Sequence, residues 1–334
     1  MSKMSKMSRA GRKRVAAVLI AAALAAAGCS SSGSSGSGSG GVPKTLADAL
    51  KGVHAADTTK TQLAWGQYGG ARGVQFDVVL SPVLGFSVVK QPFALTVGKP
   101  PNELTVLYGS FDPASIGAKL KGLGYQATDR GHGETQWLIR DDHKVDMDQK
   151  PEDLANTLAT YNVIRVSKDR LVYGGATADL DAALPAQGAA LADDPVVGAI
   201  AKCLDEGASG MFDTTAVPLG VGVGPSGTET ICVSAADDAT AKKYADKFVQ
   251  QATTGKSART LQPWSELIAN PKAEVLGGKG HVVRLTVTDV VASRPVLVTA
   301  LLTGDVGTLI GLPLPNGKLR PGASSPTPSA ETSS

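Results

Sequence analysis

The sequence predicts an α+β body: mainly antiparallel sheets with helices packed on one face, arranged as a duplicated βαβ-type unit. Three observations support that expectation. Short apolar runs alternate with capped helical segments between residues 44 and 312, the pattern of sheet and helix layered around a core. The succession of strand, cap and helix recurs at residues 104–123, 171–184 and 230–252. Leu107 to Leu120 also aligns loosely with Val233 to Ala245. The recurrence reads as a weak internal repeat, with one half at residues 44–205 and the other at 206–312.

The elements follow in chain order. Phe93 to Val97 and Leu104 to Tyr108 are short apolar and β-branched runs, the composition of strands. Asp112-Pro113 then opens a helix. Aspartate is a preferred N-cap, and proline suits the first helical position because the N–H it lacks is unpaired there. Ile116, Leu120 and Leu123 recur at helical spacing, and Gly124 ends the helix. Gln136 to Arg140 reads as the next strand. Val163 to Val166 and Leu171 to Tyr173 flank a Lys168-Asp169-Arg170 turn. Thr177 caps a helix that turns Leu180 and Leu184 inward, and Asp194-Pro195 opens one carrying Val197, Ile200, Ala201 and Leu204. Ala216 to Val223 and Thr230 to Ser234 read as a hairpin. Asp237 or Asp238 caps the helix after it, which turns Ala241, Tyr244, Phe248 and Val249 to one side. Val282 to Val287 and Pro295 to Leu302 complete the series as strands. Aromatics make up only 4% of the chain, so Val, Leu, Ile and Ala must fill the core.

The two ends differ from this body. Lys3, Lys6, Arg9, Arg12, Lys13 and Arg14 precede an apolar run from Val15 to Ala27, which small residues close as Ala26-Ala27-Gly28-Cys29. A charged start, a short apolar middle and a small-residue end make a secretory signal peptide. About thirteen apolar residues give roughly 20 Å of helix, short for a bilayer core of about 30 Å. The segment resembles the lipobox of bacterial lipoproteins, in which the cysteine is diacylated and becomes the new N-terminus. That resemblance implies lipidation of Cys29, cleavage of residues 1–28 and a membrane partner held through the lipid anchor. Residues 29–43 are a Ser/Gly tether, and 313–334 a Pro/Ser/Thr tail too poor in apolar residues to fold.

Charge and cysteine content exclude several classes. The chain has 33 Lys and Arg against 30 Asp and Glu. Six of those cations precede Cys29, so the mature chain has a slight negative excess. No basic block remains, and nucleic acid is not an expected partner. With Cys29 lipidated, Cys203 and Cys232 are an even pair in an oxidising compartment and are expected to bond. Both lie beside apolar residues, one late in the helix after Pro195 and the other in the strand after the hairpin.

Other motifs point to local structure. Gly222-Val223-Gly224-Pro225-Ser226-Gly227 matches G-x-G-x-x-G, yet a strand-like run follows where a dinucleotide site needs a helix. It reads as a turn, as does Gly277-Gly278-Lys279-Gly280. Asp141, Asp142, His143, Asp146, Asp148, Glu152 and Asp153 form the densest acidic cluster. It lacks the order of a calcium loop and reads as a solvated connection. His54, His132, His143 and His281 stand in no metal-ligand spacing, and no nucleophile elbow is present. Trp65, Trp137 and Trp264 read as core or edge residues, although Leu63 to Gly70 also suits a groove wall. No catalytic residue, cofactor site or metal site is assigned.

Longer strings carry a second resemblance. Tyr108-Gly109-Ser110-Phe111-Asp112-Pro113, Leu120 to Tyr125, Trp137, Asn162 to Gly174 and Leu191 to Pro195 are similar to surface lipoproteins of actinobacteria. That family has no assigned function, so it transfers no functional residue. The expected role is a non-catalytic binding or interaction module of the cell envelope, on the extracytoplasmic face, with an envelope protein or an apolar ligand as partner. The alternatives are an envelope hydrolase with a dispersed site and a carrier of an apolar ligand.

Overall fold

Twelve strands join edge to edge in one antiparallel sheet. The computed structural model describes residues 41–314 apart from 67–70, 149–156, 158, 185–187, 206, 215–216, 225–226, 278–279 and 291–294. The first seven strands are β1 Gln62–Gly66, β2 Phe93–Val97, β3 Leu104–Tyr108, β4 Gln126–Gly131, β5 Glu134–Leu138, β6 Val163–Val166 and β7 Arg170–Gly174. The other five are β8 Ser209–Asp213, β9 Leu219–Val223, β10 Thr228–Ser234, β11 Ile268–Gly277 and β12 Val282–Asp289. The described helices are α1 Leu46–Leu50, α2 Ala71–Leu84, α3 Pro113–Gly122, α4 Thr177–Ala183, α5 Val197–Cys203, α6 Asp238–Thr254, α7 Val296–Thr303 and α8 Val306–Leu309.

The strand order is β11-β12-β10-β9-β8-β1-β2-β3-β7-β6-β5-β4, and it contains the duplication. Each unit begins with a three-strand meander, β1–β3 or β8–β10, and continues into a helix, α3 or α6. The strands after that helix return so that the last lies beside the third, β7 beside β3 and β12 beside β10. The units meet through their first strands, with Leu63 opposite Phe212 and Trp65 opposite Gly210. The repeat is thus a pair of meanders joined by a helix, and it includes the Leu107–Leu120 and Val233–Ala245 segments.

Local chemistry sets the helix starts. Asp112 accepts hydrogen bonds from the Ala114 and Ser115 N–H at 3.1 and 3.2 Å. Asp194 accepts from Val196 and Val197, both at 3.0 Å, and Asp237 from Thr240 at 2.7 Å. Each such cap stabilises its helix by about 1 kcal/mol. Thr177, expected to cap α4, is instead its first residue; Asp142 from the acidic loop supplies the cap, accepting from the Thr177 N–H at 2.7 Å. In α6 the buried stripe is Ala241, Ala245, Phe248 and Ala252, and Val249 is exposed.

The α+β class and the antiparallel pairing are as expected, but the helices cover both faces of the sheet. On the front, defined by Leu63 and Trp65, α1, α4 and α5 close one core over β1–β3, β6 and β7. On the back, α2 and α3 cover the first unit, and α6, α7 and α8 cover the second. The reason lies in the central strands. Leu95 and Ala94, Val106 and Leu107, Val163 and Ile164, and Val172 and Leu171 are fully buried neighbours pointing to opposite faces. Strands apolar on both sides need cover on both.

The Pro295 to Leu302 run, expected as a strand, is helix α7. Its β-branched content suits a strand, but tertiary contacts decide. The Glu229 carboxyl accepts from the Leu297 N–H at 2.9 Å and from Val298 at 3.1 Å, which satisfies the first turn. Gly304, at φ 76°, closes the helix in the left-handed region. No described helix is long and apolar enough to cross a membrane.

Candidate functional site

The site grows out of the way the front face changes across the sheet. Gly210 of β8 lies opposite Gly222 of β9, and Gly220 lies two residues along the same strand, opposite Phe212. A Cβ at Gly210 would sit 2.4 Å from the Trp65 ring, and one at Gly220 2.6 Å from a Leu204 methyl. These glycines let Trp65 and the end of α5 pack directly on the strand backbone. Gly222 of the G-x-G-x-x-G string is therefore a packing residue. The string forms the β9–β10 turn as expected, with the Gly224 N–H bonded to Thr228 O at 2.8 Å; Pro225 and Ser226 lie outside the described residues.

Cys203 at the end of α5 and Cys232 on β10 stand at disulfide distance, with Cα atoms 6.0 Å apart. Both are buried. Their separation lies within the expected span of 4.4–6.8 Å. The pair pins α5 over β10 and marks the limit of the roof. Beyond it the front face is open. Thr230, Arg284, Thr286 and Thr288 are partly exposed, and Lys272 and Glu274 are exposed on the neighbouring strand. Cross-strand register aligns Thr230, Thr286 and Lys272 in one row and Cys232, Arg284 and Glu274 in the next. The Arg284 guanidinium donates to Cys203 O at 3.3 Å and stands 4.0 Å from Glu274.

An open groove of about 670 Å³ adjoins this face where α5 meets the β11–β12 turn. Pro195, Ala199, Lys202, Leu276, Gly277 and Val282 line it. A shallower depression of about 490 Å³ runs along α6 between Lys242, Lys243 and Lys247. Hydroxyls, a guanidinium and an apolar corner can hydrogen-bond and pack against a ligand. They contain no nucleophile paired with a base.

Other sequence candidates fall elsewhere. Cys29 and the whole leader lie outside the described residues, as do Glu152, Asp153 and most of the tether and tail. In the acidic loop, Asp141 pairs with Lys144, Asp142 caps α4 and Asp146 accepts from the Asp148 N–H. Among the described residues no three His, Cys, Asp or Glu side chains gather as a metal site. His143 stands 3.3 Å from Asp179, and His281 bonds Asp238 at 2.6 Å. His132, His143 and His281 all have positive φ and shape turns. Ser234, near His281 in the fold, donates to Gly280 O at 2.9 Å and not to the ring. Trp65, Trp137 and Trp264 are all core residues.

One buried group was not legible. Glu229 is fully buried on the back face. Burial pushes its carboxyl up to about 8; the hydrogen bond shared with Asp289 adds to the rise, and the Leu297 N–H opposes it. Burial raises Asp289 as well. Below that range Glu229 keeps its proton while holding the start of α7. The only sequence signal is a glutamate at an inward position of an alternating strand, Thr228-Glu229-Thr230-Ile231.

These features define an α+β protein built as a two-unit antiparallel sheet with one open polar face. No protein-family model matches the chain, and neither does any curated protein. Among solved structures it is similar to one titled crystal form IV of TP0453, at 10% identity over 77% of this chain and 96% of that one, with a TM-score of 0.38.

Proposed function

We propose that the chain is exported, acylated at Cys29 and held on the outer face of a membrane, where the body is a non-catalytic binding module of the envelope. The observation that carries the binding role is the open front of the second unit, bounded by the Cys203–Cys232 pair and flanked by the groove at Leu276. The address rests on the leader and the Ala26-Ala27-Gly28-Cys29 segment; two acyl chains meet the requirement for stable anchoring. An envelope protein with a polar, flat contact surface fits this face better than an apolar small ligand, which needs an enclosing pocket. The lipobox and the strings similar to actinobacterial surface lipoproteins support the same setting.

Two arms test the reading. Metabolic labelling with an alkyne fatty acid in a bacterial host is expected to mark the wild-type chain and not Cys29→Ala, which is released or left uncleaved. An unmodified N-terminus elsewhere would refute the anchor. Thr286→Glu with Thr230→Arg is expected to abolish retention of the folded body by an envelope fraction. Undiminished retention would refute the open face as the binding surface.

A further inference from the structure

Both ends of the sheet carry bulges and charged residues, and they differ in length and in the order of their charges. At β4 every residue is exposed and polar or small, a bulge separates Asp129 from Gly131, and Arg130 is held by Asp181 at 2.6 Å. These are the usual means of closing an edge to further pairing. At β11, ten residues long, one edge pairs with β12 and, among the described residues, the other has no strand partner. Pro271 lies in the bulge between Ala269 and Lys272 and a second bulge separates Val275 from Gly277, so the regular stretch is Lys272 to Val275, from which Pro271 removes no donor. Lys272 and Glu274 flank Ala273 on the front face, both exposed. Among the described residues Lys272 makes no ion pair, and Glu274, at 64% exposure, reaches only Arg284 at 4.0 Å. Val275 and Leu276 follow at 41% and 37% exposure.

We propose that β11 pairs antiparallel with the β11 of a second copy about a two-fold axis through Ala273, placing Lys272 of each chain opposite the partner's Glu274. The charge order selects both the occupant and the register. A cation and an anion on either side of one residue are their own complement under a two-fold rotation, which is the requirement of an isologous contact. An axis through Glu274 would set the two carboxylates against each other, and one through Val275 would set Glu274 against Leu276. Only the Ala273 axis gives two opposite-charge cross-strand pairs, each favourable in an antiparallel ladder. The same register lays Val275 on the partner's Pro271. The result is one continuous sheet through both copies, with the open front faces adjacent. This inference does not depend on the anchor or on a ligand for the open face.

The test uses the full chain carrying Cys29→Ser and Ala273→Cys, so that the new thiol alone is free, oxidised with diamide. The expected product is a symmetric disulfide-linked dimer, because each new cysteine faces its own copy. Adding Lys272→Glu or Glu274→Lys is expected to lower its yield by about tenfold, as two attractive pairs become repulsive. Combining both substitutions is expected to restore it. Mixing the two single-charge variants is expected to give predominantly mixed dimers. Circular dichroism checks that each variant is folded. A folded Ala273→Cys chain that stays monomeric, or a yield indifferent to the charges, would overturn the pairing.

Discussion

On the front of the sheet Val106, Val163 and Val172 of the first unit are fully covered, whereas Thr230, Thr286 and Thr288 of the second stand partly in water. The strands are related by the same topology, so the difference comes from the connections. After β7 the chain folds forward as α4 and α5, and α1 joins them. After β12 the corresponding connection folds back as α7, where Glu229 holds its first N–H groups. Duplication supplies the sheet, and one buried carboxyl helps decide which face the second unit leaves open.

The largest effects are expected under the roof. Trp65→Ala empties the contact with Gly210 and should cost about 3–5 kcal/mol in urea unfolding. Thr286→Ala on the open side should change stability by no more than about 0.5 kcal/mol. Comparable costs at the two positions would break the distinction between a covered and an open front.

The boundary between these regions comes next. Replacing Cys203 and Cys232 together with Ala should cost about 3–4 kcal/mol in the chain-entropy model. Amide exchange should quicken in α5 while β3 and β7 remain protected. Unchanged unfolding under reducing conditions would show that the pair does not hold the roof in place.

Much of this architecture was legible because it is local. The bounds of β2, β3 and β6, and the caps at Asp112, Asp194 and Asp237, follow from short-range composition and hydrogen bonding. The alternation Val282-Val283-Arg284-Leu285-Thr286-Val287 marks a strand covered on one side, and the doubly apolar runs of β6 and β7 mark strands covered on both. What was not legible depends on partners far along the chain. β4, Gln126 to Gly131, has no apolar alternation and is a strand because β5 pairs with it. β1 and β8 are joined across about 150 residues, and the first N–H groups of the Val296–Thr303 helix are satisfied by Glu229, a distant residue. The open front follows from where the helices cross, which no local pattern specifies.

Glu229 allows the connection itself to be probed. Folded, it keeps its proton up to about pH 8; unfolded, it loses it near 4.5. Its contribution to stability is therefore full below pH 4.5 and is lost as pH rises toward 8. Asp289, also raised, acts in the same direction. Glu229→Gln should flatten the fall in melting temperature over that window, whereas an undiminished fall would place its origin elsewhere. The smallest effect is expected at a single cap: Asp112→Ala should cost about 1 kcal/mol and leave the front-face contrast intact.

The proposed display outside the membrane and the open front can be probed together in a single measurement. Intact bacteria expressing the full chain with Thr286→Cys or Val106→Cys are treated with a membrane-impermeant maleimide, and labelling is followed before and after lysis. The expected result is rapid labelling of Thr286→Cys in intact cells and none of Val106→Cys until the protein is denatured. Labelling of Thr286→Cys only after lysis would contradict the location, and equal labelling of both positions would contradict the open and covered faces.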